Sequence, residues 1–223
     1  MKIFWQMSAR FTKIDDLTRG EHGFLEKDDY ILYLGEYTAH GGYKSETNNH
    51  ILNFKMSPAI RDENVHRYKH KARSTDYWAE KLRSAVLTDR LSKIAWCPVP
   101  CSKPVSHPAY DDRLLRLITR SFGAGAIIIN CIKQIEERVA AHDTSNRPDP
   151  ASLKAGWAFQ TVNLPQSVDT IAIFDDVIAR GASFKAAQAL LHEAYPHVPI
   201  KGVFLARVVH DDDQPSLFDT LAE

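Results

Sequence analysis

Two adjacent carboxylates, Asp175 and Asp176, end a hydrophobic run and stand a few residues ahead of a short turn, Arg180-Gly181-Ala182-Ser183. Small residues in a turn that opens a helix leave backbone N–H groups free to face an anion, and phosphate is the guest such a turn suits. Carboxylates placed ahead of an anion turn read as ligand groups before they read as strand-end caps. The elements that must position them are short. Residues 171–174 (IAIF) are apolar on consecutive positions, as in a strand covered on both faces of a parallel sheet. From Phe184 the spacing becomes helical, with Ala187, Leu191 and Ala194 on one stripe.

The same alternation continues upstream. Residues 76–92 carry Trp78, Leu82, Ala85, Val86 and Leu91 at helical spacing, and 94–100 (IAWCPVP) read as a buried strand running into a proline-punctuated loop, CSKPVSHP. A helix over 110–122 and a short apolar strand over 126–130 follow, and residues 201–209 give a last strand. Helices alternating with apolar strands predict an α/β fold, with a mainly parallel central sheet flanked by helices. Ligands bind such sheets at the carboxyl ends of the strands, where the loops after Pro100 and after Asp175 both emerge. Residues 1–75 read as a small β-containing N-terminal appendage, with a strand over 30–34 and a second apolar run over 51–56. Residues 132–169, including a charged helical piece KQIEERVAAH, form a long excursion between core strands, and 211–223 form an acidic tail opening with Asp211, Asp212 and Asp213.

Composition sets outer bounds. The 223 residues are 44% hydrophobic and 25% charged, which is ordinary for a globular protein with a full core. Formal net charge is zero, so no global field draws the chain to nucleic acid or membrane and any such binding must be local. The start, MKIFWQMSAR, is too short for a signal peptide or a membrane span, and the expected compartment is the cytoplasm. Three cysteines, Cys97, Cys101 and Cys131, are too few for a disulfide framework and are expected to be free thiols.

The stretch IAIFDDVIARGAS resembles the phosphoribosyl diphosphate (PRPP) signature of type I phosphoribosyltransferases, in its strand, its acidic pair, Gly181 and Ser183. Arg180 is similar to the variant found in glutamine amidophosphoribosyltransferases. CPVPCSK falls where that family has its diphosphate loop, and residues 132–169 fall where it has its flexible catalytic loop. NHILNFKM, YWAEKLRSAV and WAFQ are most similar to ComF-type members, over residues 28–210, without a counterpart to their zinc-binding cysteines. The resemblance implies a phosphoribosyltransferase domain over 76–210. Within it Asp175 and Asp176 would meet the ribose hydroxyls and lie near the Mg²⁺ that PRPP brings, and Ala179, Arg180, Gly181, Ala182 and Ser183 would cradle the 5′-phosphate. Cys101, Ser102 and Lys103 would hold the diphosphate, with Arg147 or Lys154 closing over it. Such a site supplies carboxylates where the ribose gains positive charge and cations where diphosphate departs. Ala179 stands where 6-oxopurine members carry a carboxylate, so a purine acceptor is not implied, and the acceptor stays open. The alternative reading is a non-catalytic PRPP- or nucleotide-binding accessory protein of DNA, DNA-uptake or defence machinery.

Other constellations weigh less. Residues 65–73 (VHRYKHKAR) put Arg67, Lys69, Lys71 and Arg73 on alternate positions, a candidate nucleic-acid patch set against a plain solvated face. His66 and His70 with Cys97 and Cys101 make a zinc ligand set by type, but four residues of strand separate the two cysteines by roughly 13 Å. Ser183 lacks the second glycine of a nucleophile elbow, and His192-Glu193 lacks the second histidine of a zinc protease. In the tail, Gln214, Ser216, Leu217 and Phe218 of QPSLF resemble a sliding-clamp-binding peptide, against a plain docking of Leu217 and Phe218 on the core.

Overall fold

The computed structural model describes residues 9–137 and 148–210. A strand β1 (Thr12–Lys13) is followed by β2 (Ile31–Thr38), helix α1 (Glu46–Phe54), a single turn α2 (Ile60–Glu63) and the long α3 (Val65–Ala85). Next come β3 (Ile94–Pro98), α4 (Arg113–Phe122), β4 (Ile127–Ile128) and β5 (Ile132–Gln134). The chain then forms α5 (Pro150–Ala155), β6 (Trp157–Phe159), β7 (Thr170–Ile178), α6 (Ala182–Ala194) and β8 (Ile200–Val209).

Six strands form one mixed sheet in the order β1-β2-β8-β7-β3-β4, in which every pairing except β1 with β2 is parallel. The expected α/β architecture with a mainly parallel sheet is what the chain adopts. β7 and β8 occupy the middle and are buried along most of their length, which accounts for their unbroken apolar sequence. Helices α1, α3 and α4 pack in series, and α5 packs on α6, so the sheet is flanked by two helical groups. β5 and β6 form a separate antiparallel pair. Among the described residues no helix is long and apolar enough to cross a membrane.

Several local expectations need correction. The described part of the N-terminal segment, 9–75, does not make a separate β appendage: β2 pairs in parallel with β8 across seven residue pairs and so belongs to the central sheet. The apolar run over 51–56 belongs mainly to helix α1, started by Ser45, whose side chain accepts the Asn48 amide. Helix α3 starts at Val65, because Asn64 caps it by accepting the Arg67 amide, and it ends at Ala85. That start puts the basic run inside a helix, where residues two apart point in nearly opposite directions. Arg67, Lys69 and Arg73 are exposed, but Lys71 is buried and donates to the Phe54 and Met56 carbonyls and to Asp111. Four cations on one face are therefore not present. The expected charged helix after residue 132 begins instead as strand β5.

Candidate functional site

The parallel strands β2, β3 and β7 deliver their following loops to one edge of the sheet. β7 extends to Ile178, so the acidic pair lies within the strand near its end and not in the loop. Strand alternation turns the two side chains to different surroundings. Asp176 is 3% exposed and Asp175 is half-buried.

Asp176 is fully engaged. Its Oδ1 accepts from Lys55 Nζ at 2.8 Å, and its Oδ2 accepts from Arg113 Nη2 at 2.6 Å and Nε at 3.0 Å. Burial alone would raise its pKa, but the two cations override burial and hold it well below the carboxylate range. Asp175 has no such partner among the described residues; its Oδ1 accepts the Asp176 amide at 2.7 Å. Burial, and next the Asp176 charge, push the Asp175 pKa up to about 7, against the opposing pull of Lys55 and Arg113. A second cluster lies behind the first, where Asp111 accepts from Lys71 and Arg116, each at 2.7 Å, with Arg113 Nη1 at 3.5 Å. Arg113 thus links two buried carboxylates.

Beyond β7 the chain turns at Ala179 and Arg180, both exposed, and enters α6 through Gly181 at φ 86°. Among the described residues no side chain caps that helix, so its first N–H groups are placed to meet an anion. The turn is strapped by an N-terminal segment. The His22 ring hydrogen-bonds through Nδ1 to the Ala179 carbonyl, and the Phe24 amide donates to the Arg180 carbonyl at 3.0 Å. The Arg180 guanidinium lies 4.5 Å from the centre of the Phe24 ring. A Cβ on Gly181 would come within 2.8 Å of Leu25 Cδ2, so packing as well as backbone conformation calls for glycine there.

The loop after β3 is tied to β7, as the Val99 amide donates to the Phe174 carbonyl at 2.9 Å. In it the Cys101 thiol donates to the Lys103 carbonyl at 3.2 Å, and Lys103 forms an ion pair with Glu137, which His107 also approaches at 3.3 Å. All three cysteines are free thiols, with Cys97 and Cys131 buried and their sulfurs 3.7 Å apart.

Two cavities meet over the acidic pair. One, of about 500 Å³, is lined by Cys101, Ser102, Lys103, Arg113, Lys133 and Asp176 among others. The second, of about 770 Å³, is lined by Ala179, Arg180, Gly181, Ala182, Tyr37 and His40 among others. Lys55, Asp175, Val177 and Ser183 line both, so these four residues form the junction. The structure therefore brings together every described residue that the sequence singled out for the site. Lys154 is the exception from the wider set: it pairs with Glu193 on α6 and lines neither cavity. Arg147 and the QPSLF segment lie outside the described residues.

The sequence reading missed Lys55 and Arg113. Their only signal is position: Lys55 directly follows an amphipathic helix, and Arg113 directly follows Asp111-Asp112 at a helix start. Among the described residues no group of three or more His, Cys, Asp and Glu side chains is placed to hold a metal ion. Of the acidic pair, Asp176 has both oxygens filled, so Asp175 is the carboxylate that can face a ligand or its metal. No protein-family model matches the sequence, and a comparison with curated proteins finds no match.

Proposed function

We propose that this protein binds PRPP as its magnesium complex and displaces diphosphate from it, as a phosphoribosyltransferase-like enzyme of the type I kind. The observation that carries the reading is the pair of adjoining cavities. One ends in the uncapped turn Arg180-Gly181-Ala182-Ser183, the other in the loop Cys101-Ser102-Lys103, and Asp175 lies at their junction. PRPP has the matching layout: a phosphate at one end, a diphosphate at the other and a ribose with two hydroxyls between them. In this reading the α6 N–H groups and Ser183 hold the 5′-phosphate, Asp175 accepts from the ribose hydroxyls, and Lys103 with its loop meets the diphosphate. Bound magnesium would neutralise diphosphate oxygens as they leave.

The reaction breaks the bond between the anomeric carbon and the diphosphate oxygen, with the electron pair leaving on diphosphate. A nucleophilic acceptor bearing an N–H or O–H forms the new bond to that carbon and loses its proton to solvent. Ala179 supplies no carboxylate to take that proton.

Isothermal titration calorimetry with PRPP and Mg²⁺, paired with a diphosphate-release assay across candidate acceptors, tests the reading. Saturable binding of PRPP by the wild type is expected. Asp175→Asn is expected to weaken it by about 10- to 100-fold, the worth of a charge-assisted hydrogen bond. Unchanged affinity in that variant removes Asp175 from the site. The accessory-protein reading gains its support from Lys103, whose ammonium is already held by Glu137. Tight PRPP binding with no diphosphate release under any acceptor would decide for it.

A further inference from the structure

We propose, building on the PRPP reading, that Lys55 is a catalytic residue: its ammonium meets the diphosphate oxygen on the bond that breaks. A donor lying with its phosphate on the α6 turn and its diphosphate on the loop after β3 must carry its reacting carbon across the junction of the two cavities. Four of the described residues line both cavities, and of these Lys55 alone is cationic. Every other described cation on the lining that the chemistry could use is placed differently. Lys103 is paired with Glu137 and lines only the smaller cavity, as does Lys133. Arg180 lies over the Phe24 ring and lines only the larger one. Arg113 is fixed between Asp176 and Asp111.

The way Asp176 is held lets Lys55 serve a ligand. Arg113 makes two contacts to Oδ2, whereas Lys55 makes one to Oδ1. When Lys55 turns toward a ligand oxygen, Asp176 keeps both Arg113 contacts to Oδ2 and its charge stays compensated. Exposure is divided in the same way: the Arg113 side chain is 17% exposed and that of Lys55 is 44% exposed. The Lys55 backbone is anchored, since its amide donates to the Ile51 carbonyl at the end of α1. A flexible four-carbon stem on a fixed base can move the ammonium the short way from Asp176 to an oxygen above Asp175. As the bond from the anomeric carbon breaks and its electron pair passes to the diphosphate oxygen, the ammonium meets the charge where it develops.

Calorimetry separates this role from a structural one by using three probes in the presence of Mg²⁺: PRPP, inorganic diphosphate and ribose 5-phosphate. Lys55→Met and Lys55→Gln are each compared with the wild type; the glutamine variant keeps a donor for Asp176 should the methionine variant fail to fold. The expected result is a loss of about 10- to 100-fold for PRPP and diphosphate, with ribose 5-phosphate affinity unchanged. Lys55→Arg should recover most of the PRPP affinity. Equal weakening of all three probes would mean that Lys55 acts only by holding Asp176, and unchanged PRPP affinity would remove it from the site; either result overturns the assignment. A wild type that binds none of the three overturns the PRPP reading itself, and the Lys55 role falls with it.

Discussion

Neighbouring carboxylates on one strand have been given opposite tasks by their partners. Asp176 is neutralised by Lys55 and Arg113, while Asp175 is left without a cation of its own beside a charged neighbour. Consequences for stability follow with a definite sign. A carboxyl whose pKa is raised in the folded state to about 7 from the ordinary aspartate value of 3.8 binds its proton more tightly when folded, so stability falls as pH rises between those values. Asp175→Asn removes that penalty. The variant is expected to melt higher than the wild type at about pH 8, by on the order of 1 kcal/mol or ~2–4 °C. The gain should shrink at about pH 5, where wild-type Asp175 is already protonated. Asp176→Asn is expected to do the reverse, costing about 3–5 kcal/mol, because it leaves the buried Arg113 guanidinium short of its main partner. Thermal melts of the two single variants across that pH range check both signs. A variant carrying both Asp175→Asn and Asp176→Asn is a poor probe of ligand binding, because the stability lost at Asp176 would mask any loss of affinity.

At the scale of elements, what could be read in the sequence was what local pattern determines. The strand-turn-helix from β7 into α6 was legible because an apolar run, two acids and a glycine turn are contiguous, and β3 with its loop was legible for the same reason. Hidden were the partners that only folding supplies. Lys55 lies 121 residues from Asp176 in sequence and Arg113 lies 63 away, and no local spacing connects either to the acidic pair. The place of β2 in the sheet is a pairing with β8 across a separation that local pattern cannot encode. The basic run misled for a different reason: alternate cations imitate a strand face, but the Asn64 cap starts a helix there and turns Lys71 inward. This distinction is measurable on α3. Lys71→Ala is expected to destabilise by about 3–5 kcal/mol, since it strips the buried Asp111 of an ion-pair partner. Lys69→Ala, exposed on the same helix, should stay within ~0.5 kcal/mol. Denaturant melts of the pair decide whether the run is a surface patch or half a core contact.

Across the whole molecule, the cavities are built from pieces that lie far apart in the chain. The His22–Leu25 strap supports the α6 turn, α1 supplies Lys55, the loop after β3 supplies Lys103, and β7 supplies the acids. A ligand that engages both cavities therefore adds to the few contacts, such as His22 with Ala179 and Lys55 with Asp176, that already tie these segments together. Binding to the folded state only must raise stability by RT ln(1 + [L]/Kd), about 2.7 kcal/mol at a hundredfold excess over Kd. For a chain of this size that is roughly 5–10 °C in Tm. The sensitive comparison is between ligands of different span. On the proposed layout ribose 5-phosphate would reach the α6 turn and Asp175, and diphosphate would reach the loop after β3 and Lys55, whereas PRPP would reach all of them. If the two cavities serve one donor, the shift with PRPP should exceed that from either fragment at the same free concentration. Should either fragment at that concentration already match PRPP, the cavities act separately, and the reading of one extended donor across Asp175 fails.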